Sequence, residues 1–166
     1  MKKLILFLML MSSYIVGQNY GVSLGYSSSE AVFGDIFYTQ DVNSFHIGYT
    51  YKSSDAKGKE ISEQKSNYGK TIDGTGSYYT SVDLGYGYLL LEKLRLNIEL
   101  SFSTKKYYTN YVDGRFSGGG YHMITKDETE MGVGGLLGYN INNFDLFVGL
   151  NTIRKMTFGL RYVFKY

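Results

Sequence analysis

The stretch Leu89–Ser103, LLLEKLRLNIELSFS, decides the fold. Its leucines invite a helix, but from Leu94 onward Leu96, Ile98, Leu100 and Phe102 alternate without a break with Arg95, Asn97, Glu99, Ser101 and Ser103. A period of two is a strand with one apolar and one polar face; an amphipathic helix would need 3.6.

The same alternation recurs on both sides of this stretch. Tyr20, Val22, Leu24 and Tyr26 mark a first strand, with Gly21, Ser23, Gly25 and Ser27 opposite. Val32, Ile36 and Tyr38 suggest a second whose limits stay open, because Phe33 and Phe37 share the parity of Asp35. Phe45 to Tyr51 gives a third and Tyr78 to Tyr88 a fourth, ahead of the opening stretch. Met131 to Ile141, Phe144 to Leu150 and the segment Met156–Tyr166, MTFGLRYVFKY, complete eight. Composition agrees: 18 Tyr and 21 Gly with no Pro suit pleated strands, since proline cannot donate to a ladder. The connections alternate in length. Gln40–Ser44, Leu89–Lys93 and Asn142–Asn143 are short; Ser53–Ser77 and Tyr107–Asp127 are long and polar, and fall together at the opposite end from the short turns.

The first 17 residues are read apart from the fold. Lys2 and Lys3 precede an apolar run, Leu4–Met11, and then Ser12 and Ser13, the layout of a secretory signal peptide. Cleavage is expected between Gly17 and Gln18, with Ser13 as an alternative, which leaves residues 18–166 as one domain. The run falls short of the roughly 20 residues of a spanning helix. With no cysteine, neither lipoprotein acylation nor disulfides are available. The chain has 17 Lys and Arg against 15 Asp and Glu, so losing Lys2 and Lys3 brings it to balance, which argues against nucleic acid as a partner.

Alternation alone does not say which face points inward. The polar parity carries Asp35, His46, Asp83, Arg95, Glu99, Asp145, Arg161 and Lys165. In a soluble barrel these would meet water and the tyrosines and leucines would pack inside around an apolar ligand. In a membrane barrel they line the lumen, where carboxylates and cations pair. Aromatic residues at strand ends, glycine and serine crowding the polar parity, and short turns at one end favour the membrane. The lumenal set expected to form an ion network is Asp35, Asp83, Arg95, Glu99, Asp145, Arg161 and Lys165.

On these residues the chain resembles the small eight-stranded outer-membrane barrels of the OmpA/OmpX type, over essentially residues 18–166. The most specific match is the last strand, where Phe158, Leu160, Tyr162, Phe164 and Tyr166 alternate toward an aromatic end. The resemblance implies an all-β, antiparallel up-and-down transmembrane barrel in a Gram-negative outer membrane, with extracellular loops and periplasmic termini. It further implies that the barrel-assembly machinery reads the terminal strand. It brings no catalytic or ligand motif.

Eight strands enclose only enough room for side chains, so a diffusion pore is not expected. His122, near Thr125 and within reach of Asp127 or Glu128, raises a lipid-modifying enzyme as an alternative, but its spacing matches no deacylase pattern. GVGGLLG at Gly132–Gly138 lacks the Lys-Ser/Thr and helix of a phosphate loop, and Asp73-Gly74 and Asp113-Gly114 read as turns. No metal, cofactor or catalytic residue is expected. The leading functional expectation is a structural or surface-interaction role, either adhesion or service as an accessory to a larger assembly. It would run through Ser53–Ser77 together with Tyr107, Tyr108, Tyr111, Arg115, Phe116 and Tyr121.

Overall fold

The computed structural model describes residues 19–164. The segment 1–17, Lys165 and Tyr166 lie outside the described residues. Nine strands follow in order: β1 (Asn19–Ser27), β2 (Ala31–Gln40), β3 (Asn43–Lys52), β4 (Lys59–Glu60), β5 (Thr71–Leu91), β6 (Leu94–Val112), β7 (Gly120–Ile141), β8 (Phe144–Asn151) and β9 (Lys155–Phe164). Eight of them close a ring, β1-β2-β3-β5-β6-β7-β8-β9 and back to β1, each antiparallel to both neighbours. Closure removes the sheet edges that would otherwise offer unpaired backbone, and this is the form in which strands can cross lipid. The two-residue β4 lies outside the ring, paired in parallel with the start of β7.

Sidedness follows from the register. Leu24 is 73% exposed, Ile98 61% and Leu150 69%, while Glu99 is 4% exposed and Asp83 1%. An apolar belt around the whole barrel, with charges sealed inside, is the reverse of a water-soluble protein and requires a lipid surround. The reading of a secreted barrel with its apolar parity inward is therefore corrected. Tyrosines gather at the turn end of the belt: Tyr20 lies 5.4 Å from Tyr38, and the Tyr86 hydroxyl donates to Asn43 Oδ1 at 2.6 Å. Rings with a wet tip and an apolar body suit a membrane interface.

β2 resolves the parity conflict. Val32 and Ile36 face outward, while Phe33, Asp35 and Phe37 face the lumen. The inward rings are accommodated by their cross-strand partners. Phe33 stands opposite Gly25, Phe37 opposite Gly21, and Phe147 opposite Gly159, and a β-carbon at any of the three glycines would overlap the ring.

The long connections are mostly strand. β5, β6 and β7 are 21, 19 and 22 residues long against 8 to 10 for the other barrel strands, so both polar stretches contract to the true loops 53–70 and 113–119. Pairing of β5 with β3 stops at Lys52↔Tyr79, and that of β7 with β8 at Gly134↔Asn151. Beyond those points β5, β6 and β7 stand above the rim as a three-stranded tower. Asp73-Gly74 lies in a bulge of β5, where Gly74 takes φ 130°, and Asp113-Gly114 opens the 113–119 turn.

Candidate functional site

Two regions carry polar chemistry: the barrel lumen and the tower.

The loop-end half of the lumen is organised by Arg154, in the turn between β8 and β9. Asn151 Oδ1 accepts the backbone N–H of Ile153 at 2.8 Å and of Arg154 at 3.2 Å, folding the turn so that Arg154 enters the barrel. Its side chain is 1% exposed, sits 3.4 Å from Asp83, bonds Glu99 and lies 4.2 Å above the Phe33 ring. Both carboxylates have further donors. Thr50 Oγ1 gives to Asp83 at 2.6 Å, Asn151 Nδ2 to Glu99 at 2.6 Å, and His46 Nε2 lies 3.4 Å from Glu99. Such saturation is what makes buried charge tolerable. Above this layer Ala31, Tyr79 and Ile153 pack together, with the Tyr79 hydroxyl 2.6 Å from Ser29 Oγ.

The turn-end half holds Arg95, Asp145, Arg161 and Asp35. Asp145 lies 3.9 Å from Arg161 and 4.0 Å from Arg95, and accepts from Asn140 at 2.6 Å; Asp35 accepts from Ser23. Arg161 lies over Phe37 at 4.4 Å and Phe147 at 5.7 Å. The lumen is thus a filled core in which guanidinium groups lie on phenyl rings opposite glycines. Lys165 lies outside the described residues.

The tower tip is bound by loop 53–70, which passes from one face of the β6–β7 hairpin to the other. On the face of Tyr108, Asn110 and His122, the Lys57 N–H donates to Asn110 Oδ1 at 2.9 Å, and His122 Nδ1 meets the Lys57 carbonyl at 2.8 Å. β4 then runs along the free edge of β7 at Tyr121 and His122. On the opposite face the Tyr121 hydroxyl donates to the Gly69 carbonyl at 2.7 Å, and the Gly69 N–H donates to Asp113 Oδ2 at 2.8 Å. Arg115 grips the same carboxylate, with Nε at 2.8 Å, and it and the Gly69 N–H hold Asp113 well below the usual carboxylate range. Tyr111 stacks on Tyr121 at 5.1 Å, and Tyr68 meets Phe116 edge-on at 5.2 Å.

These contacts sort the surface candidates. Tyr108 is 3% exposed and Tyr121 is fully buried, so both hold the loop and neither can meet a partner. Tyr107, Tyr111, Arg115 and Phe116 keep exposed surface. His122 meets Lys57 and Glu60, while Asp127 and Glu128 pair with Lys106 and Lys126. Both tower edges are guarded against added strands. β7 carries Lys126, Asp127, Glu128 and Glu130 beside a register shift at Thr125, and the Lys57–Asp73 ion pair ties the loop to β5. Among the described residues no group of His, Cys, Asp and Glu is arranged to hold a metal ion.

Comparison with solved structures places this architecture. The attachment invasion locus protein Ail of Yersinia pestis superposes with a TM-score of 0.52 at 14% identity, covering 89% of this chain and 96% of that one. Ail in complex with the heparin analogue sucrose octasulfate gives 0.50 at 14% identity and the same coverage. The N-terminal β-barrel domain of Pseudomonas aeruginosa OprF gives 0.49 at 13% identity, again over 89% and 96%. No protein-family model matches the sequence, and no curated protein matches it. At these identities the likeness is one of fold: the chain shares with Ail the closed antiparallel barrel of small outer-membrane proteins.

Proposed function

We propose that this chain is a non-enzymatic outer-membrane protein in which the barrel is an anchor and the tower a surface for interaction, with the loop end outside the cell and the termini in the periplasm. The observation that carries the reading is the contrast between its halves. The lumen is packed with Arg154, Arg161, Phe33, Phe37 and Phe147, while three strands are extended well past the rim and tied by a loop that wraps them. Binding surfaces tend to sit on loops held by a rigid scaffold. His122 fits the non-enzymatic reading, because its ring is engaged by the Lys57 carbonyl and Glu60 and, among the described residues, is bonded to no hydroxyl.

In this reading the outward residues of β9, Phe158, Leu160, Tyr162 and Phe164, followed by Tyr166, are what the assembly machinery recognises. The adhesive role of the tower has a fold-level parallel in Ail, a protein named for attachment and invasion. Lys52 pairs with Glu30, Lys106 with Asp127, Lys126 with Glu128 and Arg115 with Asp113, so these cations are already neutralised.

The test is to display the protein on a Gram-negative host and compare it with a variant in which residues 58–68 are replaced by a short Gly-Ser turn. Both should insert and show heat-modifiable gel mobility, and the variant should lose adherence to immobilised host-matrix glycoproteins. Adherence unchanged by the replacement would remove the surface-interaction reading.

A further inference from the structure

Between the root of loop 53–70 and the tower lies a cleft of about 470 Å³ that the anchor-and-tower reading does not use. Glu30, Lys52, Asp55, Thr75, Ser77 and Tyr107 are among its lining residues. Lys52 pairs with Tyr79 on the neighbouring strand β5, and Tyr79 belongs to the layer packed with Ala31 and Ile153, so the cleft lies next to that layer.

Its volume falls within the roughly 300–1,000 Å³ of small-molecule sites, but such sites are mostly apolar and this one is not. Hydroxyls on Thr75 and Ser77 can each donate and accept, and that of Tyr107 is held in place by Lys105 and Glu128, which suits a ligand that is itself a dense array of hydroxyls. The charges select further. Lys52 is neutralised by Glu30 at 3.3 Å, whereas the Asp55 carboxylate has no cation within salt-bridge distance among the described residues. At the other wall Lys105 and Lys126 stand 4.8 and 5.8 Å from the Tyr107 ring, with Lys126 paired to Glu128, so the surround is mixed in charge, and Asp55 leaves an acceptor for paired hydroxyls. The scaffold is stiff: Thr75 and Ser77 lie on β5, Tyr107 on β6, and Asp55 is pinned by its N–H to the Tyr108 hydroxyl at 3.2 Å. Glu30 is held at φ 65°, a left-handed conformation that a β-carbon-bearing residue adopts at a cost.

We infer that this cleft binds a neutral saccharide, with Asp55 accepting hydroxyls of the sugar and Ser77, Thr75 and Tyr107 completing its hydrogen bonds. The inference rests on the tower being the interaction surface and names a ligand class for it. Two sources present such chemistry at this height: glycans of a host surface, and sugars of neighbouring lipopolysaccharide.

The experiment uses the full chain in phospholipid nanodiscs free of lipopolysaccharide. Binding is measured to an array of neutral oligosaccharides, to dephosphorylated core oligosaccharide from lipopolysaccharide, and to sucrose octasulfate. At least one neutral saccharide should bind with little dependence on salt, and Asp55→Asn and Ser77→Ala should each weaken it about tenfold or more. Lys106→Ala, outside the cleft, serves as the folded comparator. Retention of the core oligosaccharide alone assigns the site to neighbouring lipid, and retention of array glycans assigns it to an external surface; either supports the inference. It is overturned if no neutral saccharide binds better to the native protein than to Asp55→Asn, or if sucrose octasulfate binds best and is displaced by salt. Failure here alongside lost adherence on loop replacement would discard the saccharide and leave the interaction surface standing.

Discussion

Replacing Arg154 by alanine removes a guanidinium on which Asp83 and Glu99 both depend. Breaking a buried ion pair from one side costs about 3–5 kcal/mol, because the remaining charge stays buried without compensation. Urea unfolding in lipid vesicles should show that loss, and the double variant with Glu99→Gln should recover part of it; a variant within 1 kcal/mol of native would contradict the network. Arg154 was not legible in the sequence. Parity assigns lumenal residues along strands, as it did for Arg161, but Arg154 lies in a turn and enters the barrel only because Asn151 folds that turn. A second residue-scale prediction concerns Asp113 at the tower tip. Its carboxyl is held low, first by Arg115 and then by the Gly69 N–H. A depressed folded-state value means that the contribution is complete above the ordinary carboxylate value of about 4 and is lost only as the pH falls through the lower folded one. The hydrogen-exchange protection factor of the Gly69 amide should therefore be unchanged from pH 7 to 4 and fall in Asp113→Asn; a decline already at pH 5 would refute the clasp.

Strands in this barrel are matched in pairs that one strand's pattern does not reveal. Phe33 and Phe37 leave β2 ambiguous in sequence, since aromatics on the parity of Asp35 contradict a simple rule of apolar outside and polar inside. The ambiguity disappears once β1 is its neighbour, because Gly25 and Gly21 lie opposite and leave room for the rings. Gly21→Val should accordingly overpack the lumen at a cost of about 1–3 kcal/mol. Adding Phe37→Ala should relieve the overlap with the ring while leaving that with the Tyr162 carbonyl, so that the two changes couple in a double-mutant cycle; additivity would show that the pairing is incidental. The long strands were hidden for a different reason. The tower is covered by a polar loop rather than by lipid, so its buried positions, Tyr108, Asn110, Tyr121 and His122, make no apolar parity, and Thr71–Ser77, Tyr107–Val112 and Gly120–Asp127 read as loop, although a ladder of backbone bonds makes them strand.

At the scale of the whole molecule, the barrel was legible because lipid outside and a narrow lumen inside impose opposite demands on successive residues, and period-two patterning records both. The tower's cleft left no such record, since Glu30, Asp55, Ser77 and Tyr107, which line it, lie on separate stretches that strand pairing brings together. The account as a whole depends on which side of the sheet meets lipid. Ile98, 61% exposed in the barrel part of β6, is the position to probe, with Lys106 on the same strand above the rim as the reference. A spin label on cysteine at each site, read in phospholipid bilayers, reports collisions with oxygen, which concentrates in lipid, and with a water-soluble nickel complex. The account predicts high oxygen and low nickel accessibility at 98 and the reverse at 106. High nickel accessibility at 98, equal to that at 106, would contradict it.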